Sequence, residues 1–580
     1  MADTLDLKIT GGMIVDGTGG AAYLGDVGVR DGRIVALGKV DQSARETVDA
    51  EGRVVAPGFV DIHTHYDAQV FWDPTLSPSS HHGVTTIVGG NCGFSIAPLN
   101  GVQEDAEYLM RMLARVEGMP LESLRAGVPW NWRTTAEYLG LIEGRLAINA
   151  GFMVGHSALR RAVMGARAVG DKATEDEIRQ MQALLRDGLA AGGMGFSTTV
   201  SPSHNDAEGN PVPSRHATDA EIYALAAVAG EFEGTTLELL PNTVEPFTED
   251  QYRRLAQMSL AAKRPVNWNV LSPDSRFPDL YRNQIQASDY AAERGAKVVP
   301  LIMSSPPTIW VNFISGFILD TFPGWTELFR HPVAERTRLL ADPAQRLRMN
   351  DAQAWAGAGR RAVMANWAAW TFAEVFHPEN KRFQGRTVGE AAQALGKAPF
   401  DAMIDICIAD DLKTSLQTPM AGEDDETWRV RVELWKDERT VVGASDAGAH
   451  LDMIDTFASP LFVLSLGVRE RRLITLEQAV RQLTSVPARL YGLRERGELA
   501  AGNWADIVVF DPATIARGPL GMRFDLPAGA GRLYADAVGI EHVFVNGVRI
   551  VRGQSFTGQL PGRVLRSGRD SYTVPIPASA

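Results

Sequence analysis

Cysteine is nearly absent from this chain, which has only two, Cys92 and Cys407, among 580 residues. Two cysteines in a chain of this length cannot form the disulfide framework that stabilises small secreted domains. The first residues also lack the positively charged start and the apolar run of a signal peptide. The sequence therefore predicts a protein that works in the reducing cytoplasm.

A basic surplus and a long apolar run are missing as well. The chain has 57 Lys and Arg against 70 Asp and Glu, a net charge of −13, so it has no excess positive charge for nucleic acid or an anionic membrane. It has no run of about 20 apolar residues that would span a membrane. Because 45% of its residues are hydrophobic, we expect a large core. The expected partner is a small-molecule substrate, and a homo-oligomer is left open.

Hairpin signals occur at both ends of the chain. Asp31-Gly32 and Asn546-Gly547 each lie between apolar runs, and such pairs favour two-residue β-hairpins. The hairpin segments at either end are too small to be a stable sheet alone. We therefore expect residues 1–56 and 490–580 to form one composite β domain.

Between the ends, short apolar runs alternate with helical patterns. The runs lie at 84–88, 148–154, 194–199, 236–240, 266–270, 297–303 and 441–444. Alternation of strands and helices is typical of the α/β class with parallel βαβ units. Seven or eight units within residues 57–489 predict a TIM-like (β/α)8 barrel with its site at the carboxyl ends of the strands. A doubly wound open sheet is the alternative, but no Gly-x-Gly-x-x-Gly follows the first strand.

Residues 304–420 interrupt this rhythm, with many Trp and Arg residues and a helical pattern over 342–370. We interpret them as a helical insertion on the catalytic face, either a lid or an ordinary elaboration. Its tryptophans suggest a larger apolar or aromatic substrate, although packing inside the insertion is the simpler interpretation for most of them. They are Trp310, Trp325, Trp355, Trp367 and Trp370.

Three strand ends carry residues that bind metals. His63 and His65 follow an apolar run at 59–62, and side chains two apart on a strand point the same way, so both imidazoles converge as a metal site requires. Asp446 ends the strand at 441–444, where a carboxylate can bind a metal and take a proton from its water. Cys92 follows another strand among small residues; it is either a thiolate ligand or a buried core cysteine.

Taken together, the motifs resemble the amidohydrolase superfamily, and closely its N-acyl-D-amino-acid deacylase (D-aminoacylase) branch. The two longest are Ala-Pro-Gly-Phe-Val-Asp-Ile-His-Thr-His at 56–65 and Asn-Cys-Gly-Phe-Ser-Ile-Ala-Pro at 91–98. The others lie at 11–19, 83–86, 154–160, 195–198, 445–446, 505–512 and 555–563. They cover both ends and most of the first two hundred residues, and the resemblance is thin from about 230 to 430.

The resemblance implies a metal-dependent (β/α)8 barrel beside a composite β-sandwich. It also implies hydrolysis of amide bonds in N-acyl amino compounds by a water that one or two Zn²⁺ ions activate. His63, His65 and Asp446 would belong to one metal position and Cys92 to a bridging one, with Asp446 also acting as base and acid. The alternatives are a hydrolase of a lactone, carbamate or cyclic imide, and a non-catalytic ligand-binding barrel.

The chain departs from the family at the second metal position. The family supplies two more histidines there, but no histidine occurs between His216 and His331, and the corresponding strands carry Glu238 and Asn269. Either these two hold a differently built site, or only one metal binds, or the enzyme binds no catalytic metal at all. An oxygen ligand there would allow a switch from Zn²⁺ toward Mn²⁺ or Fe²⁺. Glu238 needs a cationic partner if buried, either a metal or a neighbouring Lys or Arg.

Four further residues are candidate substrate contacts. Asp67 follows the histidine pair and either orients a ligand or caps a loop. His156 ends a strand and is either a substrate contact or a satisfied core histidine. His216 precedes a helix, where it is solvated or lines the mouth, and His450 would fill a vacant ligand place. The family's arginine for a substrate carboxylate is missing after Asp446, so a bidentate clamp is not expected there.

Overall fold

The computed structural model describes residues 4–316, 318–351, 355, 364–420 and 422–577. Parallel strands form its centre, and each pairs with the next in the order of the chain. A parallel bridge between Thr64 and Ala447 joins the first strand to the last. The predicted (β/α)8 barrel is confirmed. Its strands are Phe59–Asp61, Val84–Gly89, Asn149–Phe152 with Val154–Gly155, Gly195–Thr199, Thr236–Leu240, Val266–Leu271, Val298–Ile302 and Val441–Val442.

Helices surround these strands, and several begin where the sequence carries a capping box. Thr174 accepts a hydrogen bond from the backbone of Glu177, which reaches back in turn, and Thr475 and Gln478 do the same. The α-helices of this layer are Gln103–Val116, Leu121–Gly127, Thr135–Ile142, His156–Met164, Glu175–Ala190, Asp219–Ala229, Glu249–Ala262, Pro278–Ala292, Asp425–Lys436, Ser459–Phe462, Leu476–Leu483 and Ser485–Leu490. A π-helix, Val463–Glu470, follows Ser459–Phe462 directly. No helix among the described residues is long and apolar enough to cross a membrane.

Strands from both ends of the chain share one sheet. Val54–Pro57 pairs with Ile507–Phe510 in antiparallel register, and this pair links the N-terminal strands to the C-terminal ones. Asp31 and Gly32 have φ values of 52° and 75°, and Asn546 and Gly547 have 48° and 80°, the positive values that a type I′ hairpin requires. The other strands of the sheet are Leu5–Ile14, Tyr23–Arg30, Arg33–Gly38, Ala44–Asp49, Ile540–Val545, Val548–Arg552 and Ser555–Phe556.

A buried polar network connects this sheet to the barrel. The guanidinium of Arg496 donates to Asp506, and also to Asn546 Oδ1 at 3.1 Å. Asn149, on a barrel strand, donates to Asp506 Oδ2 at 3.2 Å. Arg496 and Asp506 are 6% and 4% exposed, so their charges depend on each other. The domain boundaries near residues 56 and 490 stay a prediction.

The insertion has its own small sheet and core. Its strands are Trp310–Val311, Thr371–Glu374 and Ser415–Gln417, and its helices are Thr326–Phe329, Val333–Ala341, Pro343–Met349, Val388–Leu395 and Pro399–Ala409. Four of the predicted tryptophans pack together in this core and therefore have the role of packing inside the insertion rather than of contacting a substrate. They are Trp325, Trp355, Trp367 and Trp370. Trp310 packs instead in the core of the barrel.

The helical pattern predicted over 342–370 is wrong as a continuous helix. The helix from Pro343 ends at Met349, and the indoles of Trp325 and Trp355 both donate to the Met349 carbonyl, which a helix end leaves without an intrahelical partner. That carbonyl is then engaged in tertiary packing. Residues 352–354 and 356–363 of the predicted stretch lie outside the described residues.

Candidate metal centre

Three barrel-strand ends bring four of the predicted ligands together. Asp446 Oδ1 lies 3.0 Å from His65 Nε2 and 3.6 Å from His63 Nε2. Cys92 Sγ lies 3.7 Å from the same His63 nitrogen. His63, His65 and Cys92 are at most 3% exposed, so the donors face one another in the interior rather than solvent.

The spacing of these donors fits a zinc ion. Bond lengths of about 2.0–2.1 Å to nitrogen or oxygen and about 2.3 Å to sulfur place tetrahedral ligand atoms roughly 3.4–3.6 Å apart. The three separations given above, 3.0, 3.6 and 3.7 Å, bracket that value. Imidazole, thiolate and carboxylate are also the ligands that zinc prefers.

Backbone strain is concentrated at the same place. Cys92, Asp446 and His450 have φ values of 55°, 57° and 48°, a left-handed conformation that costs a non-glycine residue roughly 1–3 kcal/mol and occurs preferentially at functional sites. Hydrogen bonds hold each of them there. The Asp446 N–H donates to the His63 carbonyl at 3.1 Å, and the His450 N–H donates to the carbonyl of Glu117.

Glu238 and Asn269, the residues predicted to stand at the second metal position, border this cluster. Glu238 is fully buried, and its Oε2 accepts the Cys92 N–H at 2.8 Å. Asn269 Nδ2 lies 3.2 Å from His63 Nε2. Glu238 Oε1 and Asn269 Oδ1 have no hydrogen-bond partner within the described part of the chain, which is costly for buried oxygens. These two oxygens are therefore available to a bound cation.

The charged groups near Glu238 are not those that the alternative of a neighbouring Lys or Arg predicts. Burial raises the pKa of Glu238 to about 8, although the Cys92 N–H and the charge of His65 oppose this. The carboxylates of Asp446 and Glu117 raise it further. The largest charge effects on this group thus come from residues around the metal centre, and no Lys or Arg forms an ion pair with Glu238 among the described residues.

The two histidines differ strongly in pKa because different charges lie next to them. Burial alone lowers the pKa of both rings. The carboxylates of Glu117 and Asp446 nevertheless raise the pKa of His65 to about 9, whereas His63, next to that charged ring, has a pKa near 3. Burial would raise the pKa of Asp446, but the hydrogen bond and charge of His65 hold it well below its usual range. Glu117 and Asp446 thus place two carboxylates beside His65, one facing each of its ring nitrogens.

Sequence reasoning missed Glu117. This residue follows the helix Gln103–Val116 and is 2% exposed, and its Oε1 lies 3.5 Å from His65 Nδ1. No motif contains it, because it lies at a helix end and reaches the site only through packing of the whole helix. Asp61 was also missed, although it lies inside the 56–65 motif; it accepts a hydrogen bond from Ser445 Oγ at 2.6 Å.

Two of the predicted substrate contacts lie at the cluster. His450 Nε2 is 3.5 Å from Asp446 Oδ2, and its side chain is 16% exposed. Asp67 Oδ2 accepts the Gly90 N–H at 2.9 Å and so holds the loop that leads to Cys92. Burial raises the pKa of Asp67 to about 6, against the opposing effect of that hydrogen bond. The geometry of Asp67 corresponds to the loop-holding alternative.

The structure does not bring His156 and His216 into this cluster. Both ring nitrogens of His156 are occupied, by Thr198 Oγ1 at 2.8 Å and by Glu221 Oε1 at 3.0 Å. Arg160 binds the same Glu221 carboxylate, so His156 belongs to a separate buried ion pair. His216 Nε2 contacts the carbonyl of Pro211 at 3.2 Å. A strand-end position alone does not decide which way a histidine points.

Comparison with known proteins gives relatives over nearly the whole chain. It is 30% identical to a D-aminoacylase from Alcaligenes xylosoxydans xylosoxydans, with 97% of each chain covered. It is also 30% identical to an N-acyl-D-glutamate deacylase from the same organism, with 100% of this chain and 99% of that one covered. Full-length similarity of this kind extends through the region from about 230 to 430 where motifs are sparse.

Solved structures agree with this result. An N-acyl-D-glutamate deacylase from Bordetella bronchiseptica, in complex with zinc and a phosphonate inhibitor, superposes with a TM-score of 0.62 at 27% identity, covering 97% of this chain and 100% of that one. A D-aminoacylase studied for its binuclear metal centre gives a TM-score of 0.64 with the same identity and coverage. The amidohydrolase family pattern matches residues 46–551. As its motifs predict, the chain belongs to the amidohydrolase family and is a metal-dependent hydrolase of carbon–nitrogen bonds other than peptide bonds.

Proposed function

We propose that this enzyme hydrolyses the amide bond of N-acyl-D-amino acids at a zinc site built from His63, His65, Cys92 and Asp446. The observation that carries the proposal is a buried group of donors: ligand atoms of His63, His65 and Cys92 lie within 4.8 Å of one another, and Asp446 Oδ1 lies 3.0 Å from His65 Nε2. The names of the full-length relatives supply the substrate class. A lactone, carbamate or cyclic imide substrate and a non-catalytic barrel are not favoured by these relatives.

Asp446 is the residue we assign to proton transfer. Its side chain is 23% exposed, whereas those of His63 and His65 are 1% and 3% exposed, so it is the ligand that an incoming molecule meets. Zinc, when bound, lowers the pKa of a coordinated water and polarises the substrate carbonyl. Asp446 accepts a proton of the attacking water and delivers it to the leaving nitrogen. The carbonyl carbon gains the water oxygen and loses the nitrogen, giving a carboxylate and a free amine.

Glu117 is assigned as a positioning residue. Asp446 faces His65 Nε2, and Glu117 faces Nδ1 of the same ring. A carboxylate on the far nitrogen fixes the orientation of a metal-binding imidazole and raises its basicity. We expect Glu117→Gln to retain folding while weakening zinc affinity about 10- to 100-fold, as measured by competition with a chelator.

Glu238 is assigned to the second metal position, with Asn269 beside it. The free Glu238 Oε1 would replace a nitrogen ligand of the family, and such an oxygen ligand tolerates Mn²⁺ and Fe²⁺ better than imidazole does. We expect Glu238→Gln to weaken binding of the second ion and cut turnover with little loss of folding stability. Lower stability with unchanged metal content would instead assign Glu238 a purely structural role.

Metal analysis and a substrate panel test the proposal together. Purified protein should contain zinc and hydrolyse N-acetyl-D-amino acids faster than the L-enantiomers. His63→Ala should lose both metal and activity, and Asp446→Asn should lose activity by about 10²- to 10⁴-fold. His542→Ala is the matched control, because His542 lies on the sheet strand Ile540–Val545. Full activity of His63→Ala would place the reaction elsewhere.

We propose the cytoplasm as the compartment. Cys92 and Cys407 are both free and buried, and a reducing environment keeps Cys92 available as a thiolate ligand. Cell fractionation tests this assignment. Homo-oligomer formation stays a prediction, and light scattering on the full chain measures it.

A further inference from the structure

A large cleft lies beside the metal centre, with a volume of about 550 Å³. Its walls come from the segment after the helix Gln103–Val116, from the insertion and from residues near 522–531. Three segments far apart in sequence therefore enclose one space. The apolar side chains that line it are Met119, Leu121, Ile314, Phe376, Met522 and Phe524.

The cleft and the metal centre share a wall. Gly118, which lines the cleft, directly follows Glu117, and a Cβ on Gly118 would lie 3.2 Å from His450 Cα. Asp452, another lining residue, is two positions after His450. Asp446 and His450 are the more exposed members of the cluster, and the cleft lies against the backbone of Gly118, which follows Glu117.

The four charged side chains of the cleft all have polar partners among the described residues. Lys413 lies 3.8 Å from Asp411. Asp452 accepts a hydrogen bond from the neutral Asn312 amide at 2.8 Å. Arg115 forms an ion pair with Asp320, and Glu122 binds Arg125 at 2.7 Å. The cleft therefore offers mainly apolar surface to an occupant. Two of its apolar side chains are open to solvent, since Ile314 is 41% and Phe524 58% exposed. Covering such surface is favourable.

We propose that this cleft binds the acyl chain of the substrate, and that the chain is a linear apolar one longer than acetyl. This inference rests on the proposed deacylase function. The volume lies in the range of roughly 300–1,000 Å³ that accepts a whole drug-sized ligand. An acetyl group or a single amino-acid side chain would leave most of it empty, so the apolar walls would lose contacts that a longer chain makes.

A chain-length series tests the inference. The substrates are acetyl, butanoyl, hexanoyl and octanoyl amides of one D-amino acid, assayed with the zinc-loaded full chain. Since each methylene that leaves water adds favourable transfer energy, kcat/KM should rise about three- to fourfold per methylene until the cleft is filled. A flat series, or a rise only when the amino-acid side chain is lengthened, would overturn the proposal.

Variants of the cleft wall give the second arm. Ile314→Asp and Phe524→Asp should each lower kcat/KM at least tenfold more for the octanoyl substrate than for the acetyl substrate. Leu347→Asp is the matched control, because Leu347 is 76% exposed on the insertion and does not line the cleft. Equal losses on both substrates would overturn the proposal in favour of a structural effect.

Binding measurements separate failure of the inference from failure of the proposed function. Octanoate should bind to the full chain at least tenfold more tightly than acetate by calorimetry, and Ile314→Asp should remove most of the difference. Preferential octanoate binding without hydrolysis of any amide would refute the deacylase proposal but support the proposal that the cleft binds an apolar chain. Hydrolysis of the acetyl substrate without preferential octanoate binding would refute the cleft alone.

Discussion

The buried ion pair of Arg496 and Asp506, in the polar network that connects the sheet to the barrel, gives the sharpest stability prediction. Arg496→Met removes the guanidinium that binds Asp506, whose carboxylate is 4% exposed. Asp506 would keep the Asn546 N–H at 2.8 Å and the Asn149 amide at 3.2 Å. Its charge would nevertheless be uncompensated, and breaking a buried pair in this way costs about 3–5 kcal/mol. We therefore expect the free energy of unfolding to fall by that amount.

Urea unfolding, followed in parallel by tryptophan fluorescence and circular dichroism, measures the loss. The control is Arg253→Met, which breaks an ion pair with Asp250 whose side chains are 53% and 71% exposed. Such a pair contributes less than about 1 kcal/mol. A double variant, Arg496→Met with Asp506→Asn, should recover part of the stability because no buried charge remains. Equal effects of Arg496→Met and Arg253→Met would refute the reasoning.

Three other changes test separate parts of the fold. Gly195→Ala should prevent soluble expression, since a Cβ there would lie 1.8 Å from the Thr236 carbonyl oxygen; a folded variant would contradict the barrel register. Trp367→Ala should cost about 3–5 kcal/mol in thermal unfolding yet keep bound zinc, because Trp367 packs in the core of the insertion. The pKa of the buried His82 ring is lowered from 6.5 to about 4 by desolvation, so the unfolded chain binds the extra proton and stability falls as pH drops. From pH 7.5 to 5 this lowers the unfolding free energy by about 2 kcal/mol, a loss that His82→Gln should not show.

The barrel strands were predictable because nearly all of their residues are buried. Thr236–Leu240, for example, is found where the apolar run predicts it, and all five of its residues are buried. The hairpins at Asp31-Gly32 and Asn546-Gly547 were predictable for a local reason as well, since these pairs accept positive φ. Local composition and conformational preference are sufficient for such elements.

Features that depend on distant contacts were not predictable. The helix end at Met349 is contacted by two indoles that donate to its carbonyl, and helical periodicity carries no information about them. The contact of Glu117 with His65 was not predictable for the same reason, since it depends on where the preceding helix packs. A single sequence gives no signal for such pairings.

For Glu238, the strand pattern predicts a buried carboxylate but does not identify its partner. An apolar barrel strand that contains one carboxylate places that group in the interior, so the need for a partner follows from the sequence alone. The partner that the structure supplies to one oxygen is the backbone N–H of Cys92, at 2.8 Å. Every residue except proline has a backbone N–H donor, so the sequence does not indicate which one binds Glu238, and this partner was not predictable. The same hydrogen bond holds the strained Cys92 backbone, with φ of 55°, against the histidines. One oxygen of the Glu238 carboxylate therefore positions Cys92 at the metal centre, independently of any ion at the other oxygen.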